Sequence, residues 1–216
     1  MKKRKFQDWE YSQINKEFGL KRFYEGFEPL NVWLNADVAI SKAETEFLRK
    51  LSKDLLYNVE IWNEDELKFF FLSQLINLVN FQTEHYKPFT QRKMSAIIGD
   101  WEVSGVVDFV VSSGEQHPEQ PFFFLHEYKQ ERRRDNDPLG QLLIEMLVAK
   151  QLNEAVKQIF GCYVVGRNHF FVVLDKNEYA VSDAFVATSD DIFSIFKLMK
   201  FVKYQIEEML KKEKIC

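Results

Sequence analysis

Two apolar runs near the middle of the chain predict strands that are buried on both faces. The first, residues 105–111, is polar only at Asp108, and the second, residues 121–125, is followed by a polar segment that contains Glu127 and Lys129. Apolar runs of this length without alternation are typical of strands covered on both sides of a sheet. An unpaired buried carboxylate is costly, so we expect Asp108 to be neutralised, paired or bound to a metal ion.

Strand geometry groups these polar residues on one face. Side chains alternate along a strand, so Glu127 and Lys129 project to one side, about 6.6 Å apart, and Tyr128 projects to the other. If the two strands pair through the polar turn at residues 113–120, Asp108 lies beside Glu127. Two carboxylates with an ammonium beside them form an oxygen-rich cage for a hard divalent cation, Mg²⁺ in particular. Lys129 then lies where a metal-bound water is activated.

The first sixty residues predict a helical extension. They mix charged with aromatic and aliphatic residues and contain only three glycines or prolines. Ser41-Lys-Ala-Glu44 has the form of a capping box, and apolar residues follow it at helical spacing. The basic start at residues 2–5 is interpreted as a solvated, frayed end, with phosphate contact as the less favoured alternative. We therefore expect an N-terminal extension, residues 1–60, and a main domain, residues 61–216, within one globular unit.

The rest of the chain alternates helical and strand patterns. Helices are predicted over residues 63–80, from the Asp137-Pro138 start to about residue 160, and over residues 189–212. Besides the two central runs, strands are predicted at residues 94–103 with a bend, after a polar loop at 81–93, and at residues 161–167 and 169–175. This order predicts an α/β (α+β) fold with a mixed central sheet flanked by helices.

The central polar residues carry a resemblance to a known family. Asp108, followed nineteen residues later by Glu127-Tyr-Lys129, resembles the Asp…(Asp/Glu)-x-Lys signature of the PD-(D/E)XK nuclease superfamily, although Val107 stands where the family name has proline. The resemblance covers roughly residues 63–175. Short sequence segments within this range are similar to those of uncharacterised bacterial members. It implies a restriction-endonuclease-like αβββαβ core, with the N-terminal helical segment and the long C-terminal helix as additions.

The resemblance also implies a metal site. Asp108 and Glu127, together with the backbone carbonyl of Tyr128, are expected to hold Mg²⁺ or Mn²⁺. Lys129 is expected to act on the attacking water or on the phosphate. The metal would lower the pKa of its bound water, and cleavage would proceed by in-line attack without a covalent intermediate.

Two helical residues are matched to the family by position. The superfamily places a glutamate in the helix before the sheet, and Glu66 is the residue that fits, as a catalytic residue and a further metal ligand. A capping box formed by Asn63 and Glu66 explains the same glutamate equally well. A polar residue early in the helix after the Glu-x-Lys strand recurs in many members, and Gln141 fits that position. A plain surface glutamine is the alternative there.

Nucleic-acid contacts are expected from local basic residues. Arg132, Arg133 and Arg134 follow directly after the Glu-x-Lys strand, at the mouth of the expected site, and are candidates for phosphate contacts. A solvated loop is the alternative for this charge run. Arg92 and Lys93, in the polar loop before the sheet, are further candidates.

Composition narrows the classes of protein. The chain has 216 residues and a net charge of −4, with 29 Lys and Arg against 33 Asp and Glu, so it has no overall basic field for nucleic acid. The 21 phenylalanines mostly fall at helical or strand spacing, which indicates core packing. Two cysteines and no secretory pattern favour a reducing cytoplasm, and no run approaches the length of a membrane span.

Other chemistries lack their motifs. The four histidines are scattered without Cys-x-x-Cys, and neither Gly-x-Ser-x-Gly nor Gly-x-Gly-x-x-Gly occurs. Metal-assisted hydrolysis remains, and the resemblance implies a metal-dependent phosphodiester hydrolase that acts on DNA in preference to RNA. Two alternatives stay open: a catalytically silent nucleic-acid-binding or protein-binding module on the same fold, and a component of a larger complex. A homodimer is also left open.

Overall fold

The structure, a computed structural model, describes residues 1–131, 137–153 and 158–213. Within these ranges the helices are α1 (Tyr11–Phe18), α2 (Glu28–Leu34), α3 (Lys42–Asn58), α4 (Glu64–Leu67), α5 (Ser73–Val79), α6 (Pro138–Leu152) and α7 (Asp191–Glu213). A π-helical stretch, Lys68–Leu72, joins α4 to α5. The strands are β1 (Lys2–Lys5), β2 (Lys21–Phe23), β3 (Lys87–Ile98), β4 (Trp101–Ser113), β5 (Glu119–Lys129), β6 (Gln158–Val165), β7 (Asn168–Asp175), β8 (Glu178–Val181) and β9 (Phe185–Val186).

All nine described strands form one mixed sheet. Its path runs β1-β4-β5-β6-β7-β8-β2, with β3 paired to β4 and β9 paired to β7. The β4–β5 and β6–β7 pairs are antiparallel, whereas β5 and β6 are parallel and are connected through α6. The expected α/β class, with a mixed sheet flanked by helices, is therefore confirmed.

The two faces of the sheet are covered by different helices. On one face α6 packs with α1 over residues such as Val107, Val110 and Leu125. On the other face α2, α3, α5 and α7 cover residues such as Phe109 and Phe124. Twelve of the 21 phenylalanines are buried, in line with the expectation of core packing.

Strand β4 changes its neighbour partway along one edge. Its start, Trp101 to Ser104, pairs with β1 in parallel, and the segment from Phe109 onward pairs with β5. Between these ladders, residues 105–108 have a strand partner within the described ranges only on the other edge, in β3. The sheet thus forks at residues 105–108, which include the carboxylate that the sequence singled out.

The N-terminal sixty residues are not purely helical, contrary to the prediction. The basic start is β1, not a frayed end, and β2 pairs with β8. An edge strand of four charged residues has no apolar pattern that could reveal it, because the partner's backbone supplies its hydrogen bonds. Phe6 anchors the segment by lying against Gly105, where an added Cβ would be 2.4 Å from the Phe6 ring.

Several predicted boundaries also shift. Strand β3 already begins at Lys87, inside the expected polar loop, and α6 ends at Leu152 instead of near residue 160. Pro138 opens α6 as expected, but Asp137 makes no side-chain cap. Its Oδ2 accepts a hydrogen bond from the Tyr11 N–H at 2.8 Å and so ties α6 to α1.

None of the helices in the described ranges combines the length and the apolar composition that a membrane span requires.

Candidate active site at the fork of the sheet

Asp108 is held at the fork by three donors from three different elements. Its Oδ2 accepts a hydrogen bond from the Tyr128 N–H of β5 at 3.0 Å. Its Oδ1 accepts from Nε2 of Gln91 in β3 at 2.7 Å and from Nζ of Lys68 in the π-helical stretch at 2.9 Å. With its side chain only 11% exposed, this carboxylate bridges the strands where their backbone ladder stops.

A local break in the side-chain alternation of β3 and β4 accounts for the orientation of this residue. Gln91 has φ of 52°, in the left-handed region that a residue with a side chain seldom adopts. Val107 packs under α6 whereas Phe109 packs on the opposite face, so the usual alternation is broken between them. Gln91 and Asp108 stand opposite each other at this break, and the irregularity directs both toward the same space.

Glu127 is fully buried on β5 next to Lys129. Continued by one residue, the Phe109–His126 register places Glu127 opposite Asp108, as the pairing expected from the sequence requires. Its Oε1 lies 2.5 Å from Nζ of Lys129, and its Oε2 accepts a hydrogen bond from Nε2 of Gln141 at 2.8 Å. The contact with Lys129 is a short ion pair between two largely buried side chains.

A second buried carboxylate lies behind this pair. Nε2 of Gln141 also lies 3.3 Å from Oε1 of Glu145, one turn further along α6. Burial raises the pKa of Glu145 well above its ordinary value, and the nearby Glu127 raises it further. Burial, together with Asp108, raises the pKa of Glu127 to about 8, although Lys129 acts in the opposite direction. Gln141 therefore connects two carboxyl groups that are costly to ionise.

Lys68 and Glu64 complete the cluster from the helical side. Nζ of Lys68 lies 2.7 Å from Oε1 of Glu64, and Nζ of Lys129 lies 4.0 Å from Oε2 of the same carboxylate. Burial lowers the pKa of Lys68, but Asp108 and Glu64 outweigh it and the net shift is upward. The cluster thus contains four carboxyl groups (Glu64, Asp108, Glu127, Glu145) and two ammoniums (Lys68, Lys129), and the raised pKa values of Glu127 and Glu145 show that ionising all four carboxyl groups is costly.

The cluster borders an open cleft of about 870 Å³ between α4, the π-helical stretch and β3–β4. Glu64, Asp65, Lys68 and Asp108 are among its lining residues. Phe69 also lines the cleft and is 70% exposed. Short π-helical insertions are frequent at functional sites, and this one carries both the lysine that binds Asp108 and the exposed aromatic ring.

Four residues that the sequence pointed to meet at this site: Asp108, Glu127, Lys129 and Gln141. The alternative of a plain surface glutamine is wrong, because Gln141 is only 8% exposed and bonds to Glu127. Tyr128 reaches the site through its backbone, whose N–H faces Asp108.

Glu66 lines the cleft, but its carboxylate is occupied elsewhere. Its Oε2 accepts a hydrogen bond from the Asn63 N–H at 2.8 Å, and Oδ1 of Asn63 accepts from the Glu66 N–H at 2.9 Å. This is the capping box that the sequence offered as the alternative. The carboxylate that reaches the cluster from this helix is that of Glu64.

Of the five basic residues predicted to contact nucleic acid, the structure describes two. Arg132, Arg133 and Arg134 lie outside the described residues. Arg92 and Lys93 are exposed, but they lie within β3 and not in a polar loop, so they project to opposite faces of the sheet.

Sequence reasoning missed four members of the site. Lys68 and Glu64 stand in a charged helix start that looks solvated, and nothing local distinguishes Gln91. Glu145 did carry a signal. It interrupts an apolar helical run, and the reasoning that singled out Asp108 in its strand applies equally to a carboxylate there.

Within the described residues, no three His, Cys, Asp or Glu side chains gather as a ready metal-binding group. Asp108 and Glu127 are instead each in contact with a lysine. No known protein family's profile matches the chain, and no curated protein is significantly similar to it.

Proposed function

We propose that the chain is a metal-dependent phosphodiester hydrolase of the PD-(D/E)XK type that cleaves nucleic acid, DNA in preference to RNA. The observation that carries the proposal is the convergence of Asp108 and the Glu127-x-Lys129 unit, from neighbouring strands, beside an open cleft. The element order α4/α5, β3, β4, β5, α6, β6 supports a restriction-endonuclease-like core.

The donor set fits Mg²⁺ or Mn²⁺. Mg²⁺ keeps several waters and is usually held through one or two carboxylates, so Asp108 and Glu127, with the backbone carbonyl of Tyr128, would suffice. Burial and the neighbouring Asp108 raise the pKa of Glu127, and a cation beside this carboxyl group would offset the cost of ionising it. When bound, the cation would lower the pKa of a water ligand and offset charge on the phosphate.

The surrounding residues have separate roles in this proposal. Lys68 holds Asp108 in place through an ion pair, with its ammonium 2.9 Å from Oδ1. Gln141 fixes one oxygen of Glu127 and leaves the other toward Lys129. The Lys129 ammonium, with its side chain 17% exposed, remains accessible to a phosphate oxygen and would stabilise charge that develops there in the transition state.

A second function rests on a specific observation as well. Asp108 already pairs with Lys68, and Glu127 already pairs with Lys129, so the cluster is a closed ion-pair network as it stands. Such a network would suit a module that binds nucleic acid or protein without cleaving it, alone or within a larger complex.

A cleavage assay separates these functions. Labelled single-stranded and double-stranded DNA, and RNA of the same sequence, are incubated with the protein in Mg²⁺, Mn²⁺ or EDTA. We expect metal-dependent cleavage that Glu127→Gln, purified in parallel, abolishes. Activity equal in the variant would indicate a contaminating nuclease. Failure of every substrate and metal to support cleavage would favour the silent module.

A further inference from the structure

A second concave surface lies beside the fork. This groove has a volume of about 590 Å³ and is formed by β1, the turn after it, β3, β4 and the start of α6. Its lining residues are Lys5, Phe6, Gln7, Lys93, Met94, Ser95, Ser104, Gly105, Val106 and Gln141. They include two lysines, two serines and two glutamines, and among the residues that the structure describes no carboxylate lines the groove.

The strand register sets the polar groups of the groove in a fixed array. Lys5 pairs with Ser104, and Ser104 pairs with Ser95, so these three lie in one row across three strands. With strands about 4.8 Å apart, the row spans about 10 Å. Lys93, two residues from Ser95 on β3, adds a second ammonium about 7 Å along the strand on the same face.

The two lysines of the groove are available for a ligand. Neither Lys5 nor Lys93 has an ion-pair partner among the described residues, and both are exposed. By contrast, Lys3 on the same face of β1 is already paired with Glu102 at 2.8 Å. Gly105, which also lines the groove, has no side chain and packs against the Phe6 ring.

The groove and the cleft lie one after the other along β3 and β4. Along β3 the lining passes from Ser95 and Lys93 in the groove to Gln91 in the cleft. Along β4 it passes from residues 104–106 in the groove to Asp108 in the cleft. Gln141 lines the groove while its amide bonds to Glu127, so the groove reaches a residue that contacts the candidate active site.

We infer that the groove binds the phosphate backbone of one nucleic-acid strand and leads it past Asp108 into the cleft. This inference rests on the proposed function and specifies how the substrate is held. Lysine ammoniums and serine hydroxyls are common donors to phosphate oxygens and carry no sequence information. An isolated phosphate group would use only part of an array about 10 Å wide, whereas a strand presents phosphates in succession.

The test measures binding in EDTA, so that no metal-dependent cleavage occurs. A fluorescein-labelled single-stranded oligonucleotide is titrated by anisotropy at several salt concentrations. For single strands the logarithm of the binding constant falls by about 0.7 per phosphate contact for each unit of log salt. Lys5→Ala/Lys93→Ala should therefore flatten this slope by about 1.4, at an unchanged melting temperature.

Lys2→Ala/Lys87→Ala is the matched control. It removes two lysines from the same two strands, and neither residue lines the groove. We expect it to keep the wild-type slope. Equal slopes for the two double variants would overturn the inference, because binding would then depend on overall charge. Absence of oligonucleotide binding by the wild-type protein would overturn it too.

Competition with adenosine monophosphate identifies the source of the phosphate. We expect it to displace the labelled strand poorly at equal phosphate concentration, and equal displacement would overturn the assignment to a strand. A flattened slope without any cleavage by the wild-type protein would support the groove and contradict the hydrolase. Metal-dependent cleavage with equal slopes would do the reverse.

Discussion

The cleft and the groove are adjacent on β3 and β4 but opposite in chemistry. The cleft is lined by four acidic residues, one lysine and exposed aromatic rings: Glu64, Asp65, Glu66, Asp108, Lys68, Phe69 and Phe70. The groove is lined by lysines, serines and glutamines without an acid. A polyanion would be attracted to the second surface and repelled by the first.

This difference suits two separate tasks, the binding of a cation in the cleft and the binding of a polyanion in the groove. An acidic site suits a cation and the chemistry that a cation supplies, but it cannot by itself hold a polyanion. A neighbouring basic surface can hold the polyanion and bring one phosphate to the acidic site. The net charge of −4 then conceals two local fields of opposite sign, and overall charge is a poor guide to the partner of this chain.

Replacing Lys129 should have the largest effect. We expect Lys129→Ala to fold and to bind metal, since the carboxylates remain, but to lose on the order of a hundredfold or more in cleavage rate. An interaction that stabilises charge developing only in the transition state affects turnover more than substrate binding. Single-turnover rates, melting temperature and Mg²⁺ affinity are measured together. A stable, metal-binding and fully active variant would reduce Lys129 to a structural partner of Glu127.

The buried carboxyl groups should make the protein less stable at higher pH. The pKa of Glu127 is about 8 in the folded protein, against an ordinary value of 4.5, so the folded state binds more protons than the unfolded state between these values. The free energy of unfolding therefore decreases as pH rises toward 8. Burial lowers the pKa values of His126 and His169, so their opposing contribution ends near pH 6.5.

The window from pH 6.5 to 8 therefore isolates the carboxyl groups. In EDTA the wild-type melting temperature should fall across this window, and it should fall less in Glu127→Gln, which cannot ionise. A wild-type melting temperature that rises across the window would mean that Glu127 is ionised at its ordinary pKa and that Lys129 fully compensates its burial.

Lys68 tests whether the closed ion-pair network competes with a metal. Lys68→Met should cost about 1–2 kcal/mol of stability, because Asp108 keeps two other donors. It should also tighten Mg²⁺ binding, since an ammonium no longer occupies Asp108. Lys211→Met, which breaks an exposed pair with Glu208, should change neither quantity. Weaker Mg²⁺ binding in Lys68→Met would show that the lysine positions Asp108 and does not compete for it.

The smallest effect should come from Glu66, and Glu64 is its matched partner. Glu66→Gln retains much of the capping geometry, so we expect less than about 1 kcal/mol of destabilisation and unchanged cleavage. Glu64→Gln should lower the cleavage rate several-fold, because Lys68 and Lys129 both face this carboxylate. If instead only Glu66→Gln lost activity, the family position matched to Glu66 would be right and the cap incidental.

Sequence reasoning found the part of the site that violates a local pattern. Asp108 interrupts an apolar strand, and Glu127 with Lys129 ends another, so the cost of burying charge makes them visible. Lys68 and Gln91, by contrast, do not interrupt any local hydrophobic pattern. They reach Asp108 only through the π-helical stretch and the left-handed backbone at Gln91, and neither feature can be predicted from the residues alone.

The elements of the fold also differ in how far the sequence predicts them. The central strands and α6 follow from apolar runs, whereas β1 depends on an edge that β4 exposes at the fork. The groove cannot be predicted from the sequence, because Lys5, Ser95 and Ser104 come together only when β1 pairs with β4.

The central claim is that Asp108 and Glu127 form a cation site in the acidic cleft, and calorimetric titration with Mn²⁺ tests it most directly. We expect the wild-type protein to bind Mn²⁺ and Asp108→Ala to lose this binding. Asp65→Ala, which removes an exposed carboxylate from the same cleft, should retain it. Equal Mn²⁺ affinity in Asp108→Ala and the wild-type protein would contradict the account.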